Sequence, residues 1–158
     1  MSDVEQKAWG GKTFDYVCAI VPESDNSDQV RSFMPQTLYA KAASTRLNRY
    51  GSGPFCRFHI PKAITREGVY VIARGDQAMY VGLCDNLSSR FNVGYGNISP
   101  KNCYVGGQST NCKINTKILR ETLNSTALQL WFLQNADKEN MEREMIQHLR
   151  PPWNGRQD

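Results

Sequence analysis

Residues 68–82 read GVYVIARGDQAMYVG. Val69 to Ala73 and Met79 to Leu83 are rich in β-branched and aromatic side chains, and the RGDQ between them holds a Gly-Asp pair suited to a tight turn. The stretch predicts a β-hairpin. It also places one tyrosine near the start of each strand, Tyr70 and Tyr80. A single tyrosine in a strand is most often a packing residue, so the role of this pair depends on what the rest of the chain puts with it.

Towards the C-terminus, Asp85 is placed to cap a short helix carrying Leu87, Arg90 and Phe91. Asn92 to Asn111 is rich in Gly, Asn and Ser and too long for an idle connection, which marks it as a functional loop. Asn111 or Thr110 can cap a helix whose buried stripe holds Ile114 and Ile118. LQLWF (128–132) reads as a strand. From Lys138 to Leu149 a helix carries Met141, Met145, Ile146 and Leu149 at helical spacing, and Pro151 and Pro152 end it. Towards the N-terminus, TFDYVCAIVP (13–22) reads as a strand and FCRFHIP (55–61) as a short one. Pro35 to Tyr50 reads as a helix with Tyr39, Ala43, Leu47 and Tyr50 on one face. The expected fold class is α+β: a small three-stranded, mainly antiparallel sheet flanked by helices, with an N-terminal extension. Residues 1–66 form that extension and 67–158 the main domain.

The 158 residues suffice for one domain with a real core, and 40% apolar with 22% charged residues is ordinary for a globular chain. The polar start has no apolar stretch of the signal-peptide kind, and no run nears the roughly 18 residues of a membrane span. A cytoplasmic protein with no membrane partner is expected. Five widely spaced cysteines fit reduced, buried thiols. Cys56 and His59 have ligand-like spacing, and Cys103 and Cys112 could complete a zinc site, but structural zinc usually shows two close ligand pairs. The net charge is only +4, yet no acid occurs from Gln29 to Arg66 or from Asn86 to Arg120. Two acid-free basic tracts suggest a surface that lies against phosphates.

Gly68-Val69-Tyr70 and Tyr80-Val81-Gly82 resemble the two signature tripeptides of the GIY-YIG nuclease family. Three further elements follow in family order: Arg90, ten positions after Tyr80; Glu142 on the last helix; and Asn154, twelve residues on, closing Pro-Pro-Trp-Asn. The resemblance covers about residues 67–154 and is strongest to the stand-alone restriction and phage endonucleases of the family. It implies a Mg²⁺-dependent (or Mn²⁺-dependent) endonuclease that hydrolyses phosphodiester bonds in double-stranded DNA. Glu142 would be the metal ligand, Arg90 the phosphate-binding fork, Tyr70 the general base and Tyr80 the group that positions water or phosphate. Asn154 would hold tyrosine or backbone groups in place. These residue types suit that chemistry: a carboxylate is a hard ligand for Mg²⁺, and a guanidinium can fork to phosphate oxygens. A phenol ionises near pH about 10, so a base needs a cation close by.

One position departs from the family pattern. Many members carry a histidine four residues after the arginine, where this chain has Gly94. Lys113 is the candidate for the missing cation, with a plain phosphate contact as its other reading. DNA-binding candidates are Lys41, Arg46 and Arg49 on the expected basic helix, with Lys101, Gln108, Asn111 and Lys117 from the loop and the helix after it. Cutting both strands of a duplex with two-fold symmetry favours a homodimer, at least on DNA. The alternative function is a nucleic-acid-binding module that keeps the fold without cutting, for which Gly94 is the support; a repair-nuclease subunit is a third.

Overall fold

The structure is a computed structural model that describes residues 4–155. Its strands are β1 (Gln6–Trp9), β2 (Lys12–Ile20), β3 (Gly68–Arg74), β4 (Gln77–Cys84) and β5 (Leu128–Gln134). Its helices are α1 (Leu87–Ser89), α2 (Ser109–Leu123) and α3 (Lys138–Leu149). The strands make one sheet in the order β1-β2-β5-β3-β4 with every neighbouring pair antiparallel. The fold is thus mixed α/β with a five-stranded antiparallel sheet, not the expected three-stranded one. The difference arises at β5, whose Leu128, Leu130, Trp131 and Phe132 are all buried. Such a strand needs backbone partners on both sides. β3 supplies one and β2 the other, so the strand expected at 13–22 belongs to the sheet and not to an extension. β1 and β2 join through Gly10 and Gly11, both at positive φ (58° and 81°), as a two-residue type I′ loop requires.

The chain divides into two compact units. The sheet unit, residues 4–20, 60–90 and 127–155 of the described chain, holds all five strands, α1 and α3. On one face of its sheet, Phe14, Val69, Val71, Val81 and Trp131 pack with Met141 and Met145 of α3. Strand alternation puts Tyr70 and Ile72 on the other face, opposite Gly82 and Tyr80 of β4. The first residue of α3, Lys138, is buried and donates to Glu67 Oε1 at 2.9 Å, just before β3. It also pairs at 3.2 Å with Asp85, just after β4. The helix start is thereby tied to the ends of two strands, which sets the position of Glu142 one turn on.

The second unit, residues 21–59 and 91–126, holds α2. Pro35 to Tyr50 is not a helix there. It makes two short 3-10 turns, Pro35–Leu38 and Ala42–Ser44, and then an extended piece in which Leu47 bridges Tyr104. Ala43 and Leu47, from the expected buried stripe, are exposed. Asn48 explains part of this: its side-chain oxygen accepts from the Tyr50 amide at 2.9 Å, a local bond of the kind that competes with helix, while its amide nitrogen donates to the distant Asn102 carbonyl at 2.6 Å. Residues 55–61 are not a strand either. Phe55 makes one bridge to Phe33, and the Asn115 side chain bonds both backbone groups of Cys56 at 2.9 and 2.8 Å. The stretch expected as a loop, 92–111, is largely ordered by a π-helical turn at Arg90–Tyr95, a 3-10 turn at Pro100–Cys103 and the start of α2. The cap of α1 is Asn86 rather than Asp85.

Candidate active site

Tyr70 lies on β3, Tyr80 on β4, Arg90 directly after α1, Glu142 on α3 and Asn154 in the 3-10 turn Pro152–Asn154. All five belong to the sheet unit, and they gather along β4, the last strand of the sheet. The Tyr70 and Tyr80 rings are neighbours, with centroids 6.3 Å apart. Tyr70 is fully buried, whereas Tyr80 is partly exposed. The ring of Tyr70 lies over Gly82, its cross-strand partner; a Cβ at Gly82 would overlap the Tyr70 hydroxyl. The glycine of the second tripeptide is therefore the seat of the tyrosine of the first. Arg90 Nε sits 3.5 Å from Tyr70 Oη, directed to donate to it.

Glu142 is half-buried. Burial raises its carboxyl above the ordinary carboxylate range, while the Arg90 guanidinium and the backbone amide of Leu83 pull it back down. Asn154 bonds Val81 twice: its Oδ1 accepts from the Val81 amide and its Nδ2 donates to the Val81 carbonyl, each at 2.9 Å. Amides two residues apart on a strand point the same way, so Asn154 at Val81 and Glu142 at Leu83 occupy adjacent places on the outer side of β4. Replacing Asn154 by Ala removes both bonds and leaves a part-buried peptide unsatisfied. About 1–3 kcal/mol of stability should go with it, read as a lower urea midpoint with an unchanged m-value. An unchanged midpoint would deny Asn154 this clipping role.

Among the described residues no three of His, Cys, Asp and Glu come together as a metal cage. A lone half-buried carboxylate does not fit zinc. It does fit Mg²⁺ or Mn²⁺, of which the former keeps several waters and takes one or two carboxylates beside substrate phosphates. The zinc set considered for Cys56, His59, Cys103 and Cys112 is not assembled. The Cys56 thiol, pushed up to about 12 by burial, faces Asn115. His59 faces Glu23 at 3.3 Å, and the Cys112 Sγ donates to the Asn102 carbonyl at 3.3 Å.

The other expected residues lie in the α2 unit. Lys41, Arg46, Arg49, Lys101 and Gln108 are exposed, and Lys113 and Lys117 are half-exposed on α2. Lys41, Arg46 and Arg49 lie on turns and extended chain, not on a basic helix. Asn111 is buried, and its amide nitrogen faces Asn102 and Gln108, so it does not present an edge for reading bases. A Cβ at Gly94 would meet Asn111 at ordinary contact distance, 3.5 Å, so crowding does not impose the missing side chain there. Three contributors escaped sequence reading: the seat at Gly82, the Leu83 amide and the buried Lys138. Only the first had a visible sign, a glycine inside an otherwise β-rich strand.

No family model, curated protein or solved structure matches this chain. Among the described residues no helix is long and apolar enough to cross a membrane.

Proposed function

We propose that the chain is a metal-dependent DNA endonuclease of the GIY-YIG kind, cleaving double-stranded DNA in the restriction or phage manner. It would act in the cytoplasm and as a homodimer, at least on DNA. One observation carries the reading. Residues spread from position 70 to 154 meet along β4, and together they hold what phosphodiester hydrolysis needs: a base, a charge-stabilising fork and a hard oxygen ligand.

Tyr70 takes the proton of the attacking water. Arg90, beside its hydroxyl, stabilises negative charge on that oxygen, and its guanidinium is the fork for a phosphate. Tyr80, the more exposed of the two rings, orients water or phosphate. Asn154 fixes the strand from which Tyr80 projects. Glu142 would hold Mg²⁺ or Mn²⁺. When bound, the ion supplies Lewis-acid stabilisation of the phosphate and of the leaving oxygen.

Supercoiled plasmid incubated with the protein and Mg²⁺ should become nicked or linear, and chelation by EDTA should stop the reaction. Tyr70→Phe keeps the ring and removes the proton acceptor, so cleavage should fall by roughly 10²–10⁴-fold. Intact plasmid with the wild-type protein, or full activity in Tyr70→Phe, would reject the assignment.

A further inference from the structure

The charges of the two units are unequal. The α2 unit carries nine Lys and Arg against four Asp and Glu, a net +5, whereas the sheet unit carries ten against eleven, a net −1. Every residue assigned to the chemistry lies in the second of these, the sheet unit. Both acid-free tracts contribute to the α2 unit, which supplies Arg31, Lys41, Arg46, Arg49 and Arg57 from one and Lys101, Lys113, Lys117 and Arg120 from the other.

Within the α2 unit the cations are not spread evenly. Lys113, Lys117 and Arg120 follow one another at i+4 and i+3 on α2, so they share one face of the helix. The opposite face is filled by Cys112, Ile114, Asn115, Ile118 and Leu119, all buried. Lys113 and Lys117 are half-exposed, and Arg120 is exposed. Arg49 joins the row from outside the helix: burial, then Lys117 and Arg49, make a proton on Lys113 less favourable, and Arg120 does the same for Lys117 after burial. Like charges at this helical spacing repel. Glu121 follows on the same helix at i+4 from Lys117, yet the unit keeps a net +5, and three cations on one helix face of such a unit suit a polyanion.

We infer that the face of α2 carrying Lys113, Lys117 and Arg120, together with Arg49, is a track for the phosphate backbone of one DNA strand, and that Lys113 is a phosphate contact, not a cation that tunes Tyr70. The spacing suits the ligand. Seven residues of helix span about 10 Å, about three 3.4 Å steps of a DNA strand along its axis. The row makes no base contact of its own, so it fixes affinity and register, and sequence is read elsewhere. The ligand class rests on the endonuclease reading above.

The test is binding of a labelled short duplex by fluorescence anisotropy across a salt series, in EDTA so that nothing is cut. Lys117→Ala combined with Arg120→Ala should reduce the slope of log affinity against log salt by about 2 and weaken binding near 0.1 M salt by roughly tenfold per contact. Lys117→Arg with Arg120→Lys, which keeps both charges, should retain the slope. Arg49→Gln, on exposed non-helical chain, repeats the test without touching α2 and should lower the slope by about 1. Lys113→Met should weaken binding while the pH dependence of cleavage stays unchanged; a shifted alkaline limb would return it to the tuning role. Slopes equal to wild type in the Ala pair and in Arg49→Gln would overturn the track, as would a wild-type protein that binds no duplex. The two readings separate cleanly. A protein that binds through this row but never cuts keeps the track and loses the nuclease, and a protein that cuts with unaltered slopes does the reverse.

Discussion

Glu142→Gln protein is expected to leave supercoiled plasmid uncut in Mg²⁺, a loss of at least about 10³-fold, because the one hard oxygen ligand at the site is gone. The same substitution should make the metal-free protein more stable at pH 8. Burial raises the Glu142 carboxyl, so the folded chain binds that proton more tightly than the unfolded chain does. Ionised Glu142 therefore lowers stability above its folded value. Glutamine, which mimics the protonated acid, should have its largest advantage there. That advantage should shrink as pH falls through the raised value and vanish below the unfolded value of about 4.3. Added Mg²⁺ should raise the melting temperature of the wild type and not of the variant. Calorimetry at several pH values, with and without Mg²⁺, checks both statements. A variant less stable than wild type at every pH would mean that the contacts of the carboxylate with Arg90 and the Leu83 amide outweigh its burial.

Gly82→Ala carries the second large effect, and it acts on the proposed base without replacing it. Its Cβ would occupy the space of the Tyr70 hydroxyl and ring. Tyr70 is fully buried, between β4 on one side and Phe132 of β5 on the other, so the ring has little room to retreat. Overpacking of this kind costs about 1–3 kcal/mol. In a chain of this size that lowers the melting temperature by about 2–4 °C per kcal/mol. Cleavage should fall more steeply than stability, by 10²-fold or more, since a shift of about 1 Å in the base is enough for that. The measurement is kcat at a temperature where circular dichroism shows the variant fully folded. A folded variant with wild-type kcat would show that Tyr70 can move without consequence and would count against its role as base.

Legibility in the sequence followed how local each signal was. The hairpin of β3 and β4 was readable because β-branched and aromatic enrichment and a two-residue turn both act within fifteen residues. Glu142 was placeable because Met141 and Met145 fix which face of α3 turns inward. The apolar stripe over 35–50 misled because it counts side chains and not their bonding: Asn48 is engaged with the carbonyl of Asn102, a residue far away in sequence. The number of strands was out of reach for a similar reason. The residues of β2 announce a strand, but the bond partners of β5 are set by the whole sheet. Lys138 looks like an ordinary surface charge in the sequence, and only the fold brings Glu67 and Asp85 to it. The Leu83 amide has no signature at all, since it is backbone.

The outer side of β4 has a further consequence, for solubility. An edge strand with open amides and carbonyls is a template on which another chain can pair. Here Asn154 occupies both groups of Val81, and Glu142 brings a charge to Leu83. The two residues proposed for the site thus also keep the sheet from growing into a neighbour. Proteins substituted at both positions lose a guard against self-association.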